Sequence, residues 1–257
     1  MYKRERERDN RIIIWALYDD AESSYKKAIE KYFDSEFVVH CFGINDIIFS
    51  PNKNYFYHKI DLSLSNLNLL KQLEKIANDY GKPKIILASP PCESWSGADC
   101  AGKMFRSIDK NGNWKVMNKK YYNKYNANCN PVKRRFFFQK EQGRILGEST
   151  IGATIQIIEY FKPIIWVIEN PQTSKSWDFQ LHHHDFIGEM NRTYYSSYDN
   201  NFSSKPTIFK SNIKLNFSSK KQPGNKLHMA IGNYSRRSAI PLTLIKTIIE
   251  QIKHKIC

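Results

Sequence analysis

Cysteine is scarce in this chain. The five that occur (Cys41, Cys92, Cys100, Cys129 and Cys257) are odd in number and contain no Cys-x-x-Cys pair. That argues against a disulfide framework and a structural zinc site, and it fits a reducing compartment. No apolar run approaches the roughly 20 residues that a membrane-spanning helix needs. Residues 1–9 mix charges of both signs and lack the apolar stretch of a secretory signal. A cytoplasmic protein with no membrane partner is therefore expected. Internal repeats are absent. The run His182-His183-His184 has only Asp185 beside it as a further ligand, so no metal site is expected and a surface loop is. Acidic residues are also in deficit, with 25 Asp and Glu against 40 Lys and Arg, a formal net charge of +15. Usage rich in Lys, Asn, Ile and Tyr accounts for part of this excess. The remainder suits a polyanionic partner such as DNA or RNA.

What is present is a folding composition. In 257 residues, 41% are hydrophobic and 14% aromatic, enough for one sizeable core and a single domain over 1–257. Residues 11–18 form a continuous apolar, β-branched run of the kind buried on both faces of a parallel sheet. A polar turn at 19–24 leads into a helix over 25–33, with Ser23 or Ser24 as its cap, and a second strand follows at 37–42. The alternation continues with a helix at 67–80, a strand at 84–89, a helix at 144–161 and a strand at 164–168. Later strands are expected near 193–198 and 207–210, and a closing helix at 241–253. The pattern predicts an α/β fold with a doubly wound, mostly parallel sheet, whose ligands bind beyond the carboxyl ends of the strands.

Two of those strand ends carry chemistry. After the strand at 84–89 comes Pro90-Pro91-Cys92, in which two prolines fix the chain and hold a thiol over the crevice. After 164–168 comes Glu169-Asn170-Pro171, an acid and an amide following a buried strand. A thiol and a sequestered acid facing one crevice make a nucleophile and an acid partner.

These residues resemble the DNA cytosine-5 methyltransferase family, in its short phage-type or restriction-modification members. The resemblance rests on Pro91-Cys92 with Ser96 downstream, and on Glu169-Asn170-Pro171. The helix before the second motif supports it, as do Tyr198 with Lys205-Pro206-Thr207 and Arg236-Arg237-Ser238-Ala239-Ile240-Pro241. It covers roughly residues 11–252 and implies a Rossmann-like class I methyltransferase fold. It further implies S-adenosylmethionine as cofactor and double-stranded DNA as partner, with action as a monomer on DNA, in some systems beside a cognate restriction endonuclease. Cys92 would add to C6 of a flipped cytosine, Glu169 would assist at N3, and Asn170 would orient the loop or the base edge. The same pair would serve an RNA or tRNA cytosine.

By the same resemblance, Tyr18, Asp19, Asp20, Asp61 and Pro90 would hold the cofactor. The family has a glycine-rich turn after its first strand, whereas Tyr18-Asp19-Asp20-Ala21-Glu22-Ser23-Ser24 contains no glycine. A non-catalytic DNA-binding relative with a degenerate cofactor site is the alternative this suggests. Residues 97–142 form a basic insertion after the catalytic loop, in which cations alternate with aromatics. DNA contacts are expected there, at Lys133, Arg134 and Arg135, and also at Ser96, Lys205, Arg236 and Arg237. Residues 211–233 leave only a short variable segment.

Overall fold

The computed structural model describes residues 11–19, 23–47, 53–96, 105–218, 220–227 and 238–256, with backbone alone at 228–229. The first strand, β1 (Ile12–Leu17), leads through a sharp turn into α1 (Ser24–Phe33) and then β2 (Phe37–Gly43). β3 (Tyr55–Lys59), α2 (Leu69–Tyr80) and β4 (Ile85–Ala88) follow. A hairpin of β5 (Arg106–Ile108) and β6 (Trp114–Val116) precedes α3 (Lys119–Asn128) and the long α4 (Phe137–Phe161). The chain continues through β7 (Ile165–Pro171), α5 (Ser176–His184), β8 (Glu189–Tyr194), β9 (Pro206–Ser211) and α6 (Leu242–Ile256).

Seven strands form one sheet in the order β3-β2-β1-β4-β7-β9-β8. β1, β2, β3, β4 and β7 pair in parallel, and β9 runs antiparallel to both of its neighbours. This is the Rossmann-like methyltransferase fold. The strands' continuous apolar runs have their cause in the two covered faces. Ile14, Ala16, Val39, Cys41, Ile85 and Leu87 pack with α1 and α6, while Trp15, Leu17, Phe42, Ile86 and Ala88 pack with α2 and α4. Alternate residues thus enter opposite cores, and neither face reaches water.

The helix α4 outgrows the sheet. Its 25 residues span about 37 Å, whereas the four-residue β4 spans about 13 Å. The carboxyl-terminal half packs on the sheet, with Ile151, Ala153, Ile155, Ile157 and Ile158 buried. The amino-terminal half projects past the carboxyl ends of the strands. Only the packed half has a readable stripe, which is why a start at Arg144 was expected when the helix begins two turns earlier.

Other expectations shift for local reasons. Residues 105–136 of the basic insertion hold β5, β6 and α3. The strand expected at 193–198 is β8 at Glu189–Tyr194, and Tyr195–Ser197 form a 3-10 turn. Its inward positions include the polar Asn191, whose amide bonds Phe209 O and Ser211 Oγ, so the strand lacks an apolar alternation. The three histidines lie not in a loop but in the last turn of α5, where His183 stacks on Phe179. Glu169 and Asn170 sit inside β7, because the reversed strand β9 pairs with them at Phe209 and Ile208.

Candidate active site

The loop that carries Cys92 is clamped from three sides. β4 is wholly buried and ends at Ala88, after which Cys92 leads a 3-10 turn over Glu93–Trp95. Trp95 is fully buried and anchors that turn. Its ring meets Trp114 and Phe179 at centroid distances of 6.1 and 5.2 Å, and the Arg106 guanidinium lies 5.0 Å from its centroid. Its carbonyl accepts from Lys175 N at 2.9 Å. Gly147 of α4 permits the closest approach, since a Cβ there would stand 2.3 Å from Ser94 Oγ and 2.9 Å from Trp95 Nε1. From the sheet, Asn170 Nδ2 donates to Pro90 O at 3.1 Å, tying β7 to the proline turn. Asn170 therefore positions the loop. Its Oδ1 is buried and has no hydrogen-bond partner among the described residues, so it remains an acceptor.

Glu169 is 5% exposed. Its Oε1 accepts from Tyr195 Oη at 2.8 Å and from Lys205 Nζ at 3.4 Å. Burial, reinforced by Glu169, pushes the Tyr195 phenol well above its ordinary pKa, so Tyr195 stays a donor. The Lys205 ammonium also lies 4.8 Å from the Tyr195 ring centroid. At Cys92, burial raises the thiol pKa. Lys205 opposes that rise, while Glu169 and Glu93 add to it. Lys205, expected at the nucleic acid, thus belongs to an electrostatic cluster with Cys92 and Glu169. Tyr195 was missed altogether, because one tyrosine in a polar stretch holding Tyr194 and Tyr198 carries no distinguishing signal.

Beside the loop lies a cavity of about 410 Å³ at the carboxyl ends of β1 to β4. It is walled by Tyr18 and Asp19 after β1, by Ile44 and Asn45 after β2, and by Asp61 after β3. The volume lies within the range of cofactor sites, roughly 300–1,000 Å³. Tyr18 carries the sharp turn in this glycine-free stretch, with a left-handed φ of 62°. Such a backbone costs an L-residue about 1–2 kcal/mol. The Tyr18 hydroxyl holds it in place, lying 2.8 Å from both Leu62 O and Thr150 O and 3.0 Å from Thr154 Oγ1. Burial pushes that phenol up, so it stays protonated.

Asp19 lines the cavity, but its carboxylate accepts from Tyr25 N at 3.2 Å and Lys26 N at 3.0 Å, so it caps α1. The serine cap expected for this helix is absent. Ser23 is itself left-handed at φ 49°, and its hydroxyl donates to Asp19 O. Asp61 is exposed at the cavity wall. Pro91, not Pro90, lines the cavity. S-Adenosylmethionine fits this set: Ile44 and Ile60 offer apolar faces for an adenine, and Asp61 offers an acceptor for its amino group.

Of the expected nucleic-acid contacts, Lys133 and Arg134 are exposed, while Arg135 and Ser96 are half-buried. Asp20, Arg236 and Arg237 lie outside the described residues. Among the described residues no group of three or more His, Cys, Asp or Glu could hold a metal, and no helix is long and apolar enough to cross a membrane.

No family model matches the chain, and no curated protein does. Among solved structures it is similar to a protein of Plasmodium falciparum described as a ribosomal RNA methyltransferase. The two are 12% identical with a TM-score of 0.41, covering 78% of this chain and 86% of the other.

Proposed function

We propose that the chain methylates C5 of cytosine in DNA, with S-adenosylmethionine as methyl donor and Cys92 as nucleophile. One observation carries this reading: the Glu169–Lys205 ion pair acts electrostatically on Cys92, and Pro91 and Glu93, on either side of Cys92, line a cofactor-sized cavity.

Cytosine C5 is a poor nucleophile. Addition of the Cys92 thiolate to C6 moves the C5–C6 π electrons onto C5 and the ring, which makes C5 an enamine carbon. Glu169, held by Tyr195 and Lys205, would assist at N3, where that charge collects. When bound against Ile44, Ile60 and Asp61, the cofactor would supply an electrophilic methyl group and leave as its thioether. Loss of the C5 proton to a base then returns the electron pair to C5–C6 and expels the Cys92 sulfur as thiolate. Lys205 is the cation that favours the thiolate against burial. The biological setting we propose is sequence-specific self-modification of DNA.

The pair acts on the pyrimidine ring and not on the sugar, so an RNA cytosine is the second acceptor. The test supplies tritiated-methyl S-adenosylmethionine with unmethylated genomic DNA or with total RNA, followed by nucleoside analysis. Label in 5-methyldeoxycytidine, absent with Cys92→Ala, is the expected result. Label in 5-methylcytidine alone transfers the reading to RNA. No label from either polymer, with cofactor binding intact, rejects it.

A further inference from the structure

We infer that the projecting end of α4 and the turn before it form a wedge that enters the stack of duplex DNA beside the target base. In this wedge Phe136 and Phe138 lie against bases, and Lys133 and Arg134 lie on phosphates. The need for a wedge rests on the proposed reaction, because a paired cytosine must leave the stack to meet Cys92.

Three apolar side chains here are open to solvent, with Val132 90%, Phe136 69% and Phe138 72% exposed. Most of this surface lies outside the local core, which other rings supply, although Phe138 touches the edge of Phe137 at 5.4 Å. Phe137 turns inward against Tyr122 at 5.3 Å, and Tyr122 packs on Phe105 at 4.4 Å. The exposed pair is presented rigidly. Asn126 grips Arg135 twice, donating from Nδ2 to its carbonyl at 2.7 Å and accepting its N–H at 2.8 Å. Asn130 Oδ1 accepts from Val132 N at 3.0 Å, which fixes the turn between α3 and α4. The unit is also fastened to the catalytic loop, since Trp114 packs on Trp95 and its Nε1 donates to Glu148 of α4 at 3.1 Å. A Cβ on Gly143 would stand 3.6 Å from Ser94 Cβ. Phe138 is five residues up the same helix, about 8 Å along its axis.

Charge selects the occupant. From Lys110 to Lys140 the chain has nine basic residues and no acidic one. Lys119, Lys120, Lys124, Lys133 and Arg134 are exposed, and Lys119 Nζ lies 5.0 Å from the Phe138 ring centroid. Apolar rings set among these cations, with the nearby Glu141 already paired to Arg144, match a stack of bases flanked by phosphates. An acid-rich or neutral apolar protein surface matches only half of that pattern.

The test uses the full chain without cofactor and a random-sequence DNA duplex in which 2-aminopurine replaces adenine, so that unstacking raises fluorescence. The wild type should raise the signal at saturation. Phe136→Ala/Phe138→Ala should lose that rise and bind at least about thirtyfold more weakly, with its salt dependence unchanged, as loss of two base-stacking rings alone predicts. Lys133→Glu/Arg134→Glu should keep the rise at saturation and lower the slope of log affinity against log salt by about two. Thermal unfolding confirms that each variant folds. Binding without a fluorescence rise, a rise that survives in the double alanine variant, or failure to bind duplex DNA would each overturn the wedge. Because neither cofactor nor Cys92 is needed, the assay is repeated with Cys92→Ala. A chain that unstacks bases yet transfers no methyl group keeps the wedge and loses the proposed reaction.

Discussion

Gly147→Ala should displace the Cys92 loop while leaving the fold in place, and Gly143→Ala, one turn away, should stabilise the fold and spare the loop. In an exposed helix interior either change stabilises by up to about 1 kcal/mol, because alanine loses less backbone freedom on folding. At Gly143 the new methyl would meet Ser94 Cβ at 3.6 Å, an ordinary contact, so the gain should be realised. At Gly147 the methyl would stand 2.9 Å from Trp95 Nε1 and 3.2 Å from its Cε2. The first distance is roughly 0.6 Å inside the ~3.5 Å lower edge of favourable carbon contacts. Ser94 Oγ, at 2.3 Å, can rotate away. The Trp95 ring cannot, since Trp114, Phe179 and Arg106 enclose it. Overpacking of this kind costs about 1–3 kcal/mol, which offsets the propensity gain and leaves a net loss of up to about 2 kcal/mol. The strain is relieved by moving the 3-10 turn that carries Cys92, and a displacement near 1 Å costs on the order of 100-fold in rate. Urea unfolding and single-turnover methyl transfer measure the two effects separately. If Gly147→Ala were stabilised like Gly143→Ala and kept its full rate, the close packing of α4 on the catalytic loop would be refuted.

Two further predictions concern pH. Lys205→Met removes the cation that opposes the raised Cys92 pKa, so that pKa should rise further and the ascending limb of log kcat/KM should move to higher pH. An unchanged limb would mean that Lys205 does not act on the thiol. Away from the site, His40 and His58 lie 2.8 Å apart between β2 and β3. Burial pushes His40 from 6.5 down to about 3, with His58 adding to the effect, and burial alone pushes His58 down to about 4. Both folded values are depressed, so this stability is complete above pH 6.5 and is lost as pH falls toward 3–4. At pH 5 the loss is about 2 kcal/mol per group. Chemical denaturation at pH 7.5 and pH 5 should show that drop, and His40→Phe should remove about half of it. An equal drop in the variant would place the acid sensitivity elsewhere.

Much of the fold is legible in the sequence because a parallel sheet buried on both faces leaves continuous apolar runs. β1, β2, β4 and β7 announce themselves in this way, and the two motifs stand at the ends of β4 and β7. Elements that escape such reading are those whose neighbours supply the order. β3 has a half-buried edge pattern, β8 hides a bonded asparagine, and α5 ends in three histidines that only tertiary packing holds in a helix. The amino-terminal half of α4 has no sheet beneath it and hence no stripe.

The sequence by itself determined the α/β class, the placing of Cys92 and Glu169 after or at the end of two buried strands, and the basic character of the insertion. These follow from residue type and local order. Only the tertiary structure decided what those groups meet. It brings Lys205 and Tyr195 to Glu169 from the reversed end of the sheet, more than 25 residues along the chain. It diverts Asp19 to the amides of α1, and it lets Tyr18 make the sharp turn in a glycine-free stretch. Each outcome depends on a through-space contact between distant segments, such as the hydroxyl of Tyr18 against Thr150 and Thr154. Local propensity does not encode such partners, because they exist only once the sheet has aligned its strands.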